Sequence, residues 1–120
     1  MNTVIQNLRQ ALPLRDERYG VLFELAGPAT GLPGLGFAWV EVDAGAISPA
    51  HFHKITSELY HVVEGSGVMI LDGREHAVAP GDCISIAPGV VHSIKNTETV
   101  PLRFFCATNP AYDPNDDYET

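Results

Sequence analysis

Basic residues are scarce in this chain. Seven Lys and Arg stand against 15 Asp and Glu, for a formal net charge of -8 and a pI near 4.8. That shortage argues against nucleic acid or an anionic membrane surface as a partner, since both are held by clustered Lys and Arg. Cysteine is nearly absent. Cys83 and Cys106 fit no metal or redox spacing and read as free thiols. No apolar run approaches the roughly 18 residues of a membrane-spanning helix. The opening M-N-T-V-I-Q-N-L-R-Q lacks the long apolar stretch of a secretory signal. The expectation is a cytoplasmic protein. At 120 residues there is room for one domain with a single core.

What the chain does have is turns. Eleven Gly and nine Pro separate short apolar runs, the pattern of a β-sandwich or barrel. One helical signal stands out. In residues 3–12, Val4, Leu8 and Leu12, with Ile5 and Ala11 beside them, recur at three-to-four spacing. Thr3 and Gln6 are placed for a capping box and Pro13 for a stop. Residues 14–18 read as a charged connection, so that 1–18 form an N-terminal helix and its link. A barrel over 19–110 follows. In it, residues 19–25 and 37–42 read as strands joined by a Gly/Pro loop over 26–36, long enough to cover a barrel mouth. Both faces of 37–42 are largely apolar, so its inward face is open. Asp72-Gly73 marks a hairpin, and 101–107 make a last strand. Residues 111–120 are an acidic tail, expected to be solvated; packing through Tyr112 and Tyr118 is the alternative.

The chemistry gathers between Gly45 and Gly65, with a second stretch from Gly81 to Asn96. Residues two apart on a strand face the same way. His51 and His53 therefore project together, with Lys54 opposite. On the next strand Glu58, Tyr60 and Val62 share one face, and Leu59, His61 and Val63 the other. If the two strands turn the same face inward, two imidazoles and one carboxylate converge, a donor set suited to divalent first-row metals. Lys54 and Lys95 point away from that face, so no separate general base is evident. His61 and His76 read as structural or surface residues, and Cys106 as a buried, inert thiol beside Phe104.

These two stretches resemble the motifs of the cupin superfamily. The first is Gly, five residues, His-X-His, three or four residues, Glu, six residues, Gly; Gly45, His51, His53, Glu58 and Gly65 match it. The second is Gly, five residues, Pro-X-Gly, two residues, His, three residues, Asn; Gly81, Gly89, His92 and Asn96 match it. Residue 87 departs, with Ala in place of Pro and Pro88 next, a change to a turn rather than to a ligand. The resemblance implies an all-β, double-stranded β-helix or jelly-roll barrel. It implies His51, His53, Glu58 and His92 as ligands of one divalent transition metal (Fe, Mn, Ni or Zn), with Gly65, Gly81 and Gly89 at turns. It also implies a homodimer, with residues 3–25 as the segment that packs on the partner. Tyr60 is the candidate hydrogen-bond donor to a metal-bound ligand. A small molecule is the expected partner. The chemistry is either Fe(II)-dependent dioxygenation or Lewis-acid isomerisation, decarboxylation or elimination. The alternative is a module that binds a sugar or organic acid without turnover.

Overall fold

The computed structural model describes residues 5–120. Eleven strands run in chain order: β1 (Pro13–Asp16), β2 (Gly20–Ala26), β3 (Gly36–Val42), β4 (His51–Phe52), β5 (Ser57–Glu64), β6 (Gly67–Leu71), β7 (Arg74–Val78), β8 (Cys83–Ile86), β9 (His92–Asn96), β10 (Leu102–Asn109) and β11 (Tyr118–Glu119). They pair antiparallel in two sheets, β1-β2-β3-β10-β5-β8 and β11-β4-β9-β6-β7. This is an all-β barrel of the kind that the turn-rich composition predicts, with the jelly-roll form that the resemblance implies.

Alternation along the strands builds the interior. On β10, Leu102, Phe104, Cys106 and Thr108 are buried; on β5, Tyr60 and Val62 are buried while Leu59, His61 and Val63 face out. The core joins Val42, Val62, Leu102 and Phe104 of one sheet to Met69 and Ile94 of the other. Each such side chain taken from water contributes roughly 1.5–3 kcal/mol. The ambiguous strand β3 sends Val40 and Val42 into this core. Its other face is apolar because Phe37 and Trp39 gather round Phe105 of β10, with ring centroids 5.1 and 4.9 Å away, and the indole Nε1 donates to Glu41.

The motif glycine Gly65 shows why that residue type is needed. Its φ is +82°, and a Cβ would lie 2.8 Å from the carbonyl oxygen of Pro101. Gly81 and Gly89 also turn through positive φ. The departure at Ala87 leaves the turn intact. Val90 N donates to Ala87 O, with Pro88 and positive-φ Gly89 between them, the residue order a type II turn requires.

The N-terminal helix expected over residues 3–12 is not present. Residues 3 and 4 lie outside the described residues, and 5–12 form irregular chain with one turn at Leu8–Gln10. Two members of its apolar stripe stand largely in solvent: Ile5 is 93% and Leu12 83% exposed. The Asn7 side chain accepts from Arg9 N, an alternative to helical pairing, and a stretch this short does not sustain a helix without packing. Pro13 opens a strand. The charged residues that follow pair with β2, Leu14 against Leu22 and Arg15 against Val21, and Tyr19 N donates to Asp16 O at the turn.

The tail is not solvated chain. β11 pairs with β4, Tyr118 opposite Phe52 and Glu119 opposite His51, and the Tyr118 and Phe52 rings stack at 5.2 Å. Among the described residues no helix is long and apolar enough to cross a membrane.

Candidate metal centre

His51, His53, Glu58 and His92 come together, each offering one ligand atom, with all four atoms within 4.8 Å of one another. Cross-strand register does most of this. His51 of β4 is directly opposite His92 of β9, and β5 brings Glu58 to the same end of the barrel. His53 follows β4 and keeps the alternation that points it inward. The side chains of His53, Glu58 and His92 are 5%, 8% and 1% exposed; His51 is half-buried.

The three imidazoles are oriented by the same device. Nδ1 lies against a main-chain carbonyl in each: Pro49 for His51 at 2.9 Å, Asp116 for His53 at 2.6 Å, and Val90 for His92 at 3.0 Å. A carbonyl only accepts, so each Nδ1 carries the hydrogen and each Nε2 is turned toward the centre as the ligand atom. Two of these carbonyls are two residues back in the sequence, just ahead of the strand. The third is 63 residues away.

Glu58 is held from the far side. The Cys106 thiol donates to its Oε2 at 3.1 Å, which leaves Oε1 facing the histidines, 3.1 Å from His53 Nε2 and 3.0 Å from His92 Nε2. Those contacts are close but poorly directed. Glu58 Oε1 and His92 Nε2 are both buried without a hydrogen bond. Such atoms are costly inside a protein, and three imidazole nitrogens and a carboxylate oxygen converging on one point would be satisfied together by a divalent cation. The residues fit the metal that the motifs imply.

In the metal-free cluster the same contacts shift the ionisable groups. Burial opposes ionisation of Glu58, but His53, His92 and Cys106 outweigh it and hold the carboxyl well below its ordinary range. The Glu58 carboxylate raises His53 to about 9. Burial lowers His51. Burial and the Glu58 charge push Tyr60 and Cys106 well above their ordinary values, so both keep their protons.

His51, His53 and Glu58 line a cavity of about 790 Å³ whose inner walls include Val40, Val42, Tyr60, Ile94 and Phe104. Residues 28–30 of the Gly/Pro loop and residues 10–12 also line it. Tyr60 stacks on Phe104 at 4.5 Å and meets the His92 ring edge-on at 6.2 Å. His61 and His76 are exposed, as is Lys95. Lys54 is exposed and lies over the Tyr118 ring. The other fixed motif residue, Asn96, is structural. Fully buried, it donates to Val42 O and Val100 O and accepts from Glu98 N.

The sequence profile of the cupin domain matches residues 38–108, more than half of the chain. The chain belongs to the cupin family. This cupin is 37% identical over 75 residues to an uncharacterized protein of Methanocaldococcus jannaschii, a match covering 62% of this chain and 60% of that one. It is 31% identical over 68 residues to an oxalate-binding protein of Thermotoga maritima, covering 57% and 56%. The chain thus spans less than two thirds of the length of the curated relatives it matches. Among solved structures, a nucleoside dehydratase from Streptomyces superposes with a TM-score of 0.81 at 18% identity, covering 99% of this chain and 92% of that one; at that identity the likeness concerns the fold.

Two features of the site escaped sequence reasoning. Strand alternation puts Cys106 in the interior, but nothing in the local pattern signals its bond to Glu58. Asp116 carried no signal at all, because its contacts depend on where the tail runs.

Proposed function

We propose that this cupin binds one divalent transition metal through His51, His53, Glu58 and His92 and is a metal-dependent enzyme acting on a small oxygen-bearing metabolite in the cavity. The observation that carries this reading is the common aim of the three Nε2 atoms, each fixed by an Nδ1 bond to a carbonyl, at a carboxylate oxygen left without a hydrogen bond. When bound, the metal supplies Lewis acidity toward an oxygen of the ligand, and in the iron form redox chemistry with O₂. The protein supplies the rest. Cys106 holds Glu58 by Oε2, the apolar walls limit water, and Tyr60 offers a neutral phenol as the hydrogen-bond donor to the ligand.

Within this reading, elimination, isomerisation or decarboxylation stands beside dioxygenation. The two arginines that line the cavity, Arg15 and Arg18, are exposed and tied to Asp43 and to Asp16 and Glu119, which favours a ligand with little charge beyond the group that meets the metal. Elemental analysis of protein purified without chelator or polyhistidine tag tests the metal reading. About one metal per chain is expected, lost in His53→Ala and His92→Ala; unchanged content in both variants would sink it. O₂ uptake with Fe(II), against anaerobic turnover with several metals, then separates the branches.

The second reading is a non-catalytic small-molecule binder, which the match to an oxalate-binding protein supports. A ligand-dependent rise in melting temperature without turnover would establish it. We further propose a cytoplasmic homodimer. Half-buried Phe23 and Phe105 flank the buried Trp39 across β2, β3 and β10 on the outer face of the larger sheet, with Leu59 and Val63 exposed nearby, a surface suited to a second copy. Light scattering showing a monomer would overturn it.

A further inference from the structure

His53 differs from the other two imidazoles in what orients it. His51 and His92 lean on carbonyls only two residues back, Pro49 and Val90, in the turns that lead into their strands, so the local chain orients them. The His53 partner is the main-chain oxygen of Asp116, in a short 3-10 turn over Pro114–Asp116 near the end of the chain. That oxygen is placed by its own side chain. The Asp116 carboxylate accepts from the peptide nitrogens of Lys54 at 2.8 Å through Oδ1 and of Ile55 and Thr56 at 3.1 Å through Oδ2. The residue is 5% exposed. The three donors begin at the residue after His53, so the carboxylate grips the backbone leading out of the ligand while the carbonyl grips its ring. On the other side, Gly89 N donates to His53 O.

We infer that Asp116 is the positioning residue for His53, and that the last ten residues form a strap that completes the metal centre. The inference rests on the metal reading above. The rest of the strap places Asp116. β11 pairs with β4, Tyr118 stacks on Phe52, Thr120 N donates to Ala50 O, and Lys54 Nζ lies 4.4 Å from the centre of the Tyr118 ring. Asp113 caps the turn by accepting from Asn115 N. Without the Asp116 carboxylate the carbonyl loses its anchor, and His53 is free to change rotamer and tautomer.

The test is the zinc affinity of the full chain by chelator competition, compared among wild type, Asp116→Asn, Asp116→Ala and Tyr118→Ala. Asp116→Ala is expected to weaken zinc by about 10–100-fold, the usual cost of losing an outer partner of a ligating histidine. Asp116→Asn keeps the shape but exchanges one acceptor oxygen for a donor, so an intermediate loss is expected, and it carries the test if the alanine variant does not fold. Tyr118→Ala loosens the strap without touching His53 and should stay within a few-fold of wild type. Long-range ¹H–¹⁵N spectra of the zinc form add a readout that general destabilisation would not move: the His53 Nδ1 proton, protected in wild type, exchanges with solvent in Asp116→Ala. Wild-type affinity retained in both Asp116 variants, or an equal loss in Tyr118→Ala, would overturn the positioning role. Failure of wild type itself to bind zinc would instead strike the metal reading.

Discussion

The two ends of the described chain make opposite use of similar opportunities. Residues 5–12 carry a helical apolar period and stay irregular, because Ile5 and Leu12 face solvent. Residues 111–120 carry no period and are acidic, yet they form a strand, a stacked aromatic pair and a carboxylate with three peptide donors. A pattern stabilises an element only when a surface exists to receive it. Specific polar partners order a segment that no pattern would nominate.

The strongest way to break this contrast is to stop the chain at Asn109. Removing the strap takes away the His53 carbonyl partner and the strand beside His51 together. Metal content by elemental analysis should fall toward that of His53→Ala. Retention of a full complement would mean that the strap is dispensable for the metal centre.

A pH series on the metal-free protein gives the next largest effect. His53 is raised from its ordinary 6.5 to about 9 by Glu58, so its contribution is fully present below about 6.5 and is lost as pH rises through about 9. Glu58 is lowered from 4.5; its contribution is present above that value and is lost as pH falls below it. His51, lowered from 6.5 by burial, works against stability as pH falls below that value, so denaturant midpoints of metal-free wild type should be highest near pH 6.5 and decline toward pH 9, and Glu58→Gln should flatten the alkaline side. A wild-type midpoint that does not fall between pH 6.5 and 9 would contradict the His53–Glu58 pairing.

A smaller effect is expected from the Tyr118–Phe52 stack. A double-mutant cycle by chemical denaturation should return a coupling of about 1 kcal/mol. The smallest belongs to the other end of the chain. Ile5→Ser and Leu12→Ser should each change stability by less than about 0.5 kcal/mol, and a larger loss from either would show that the segment packs after all.

Much of the centre was legible before the fold was known. Strand parity put His51 and His53 on one face and separated Glu58 and Tyr60 from His61, and the spacing of Gly65, Gly81 and Gly89 announced the turns. The bonds that orient His51 and His92 are local, from ring to carbonyl two residues back, and follow once the strands form. The inward face of β3 was not legible, since Trp39 and Val40 are equally apolar and only the position of Phe105 separates them.

The sequence by itself determined the strand-rich barrel and the shared face of His51 and His53, because alternation is a property of short stretches, and the motif spacing that resembles the cupins added His92 and the turn glycines. Tertiary structure alone decided that Cys106 holds Glu58, that residues 5–12 remain irregular, and that Asp116 reaches His53. Each of those depends on which surfaces lie close after the sheets close, and a contact spanning 63 residues leaves no trace in local pattern.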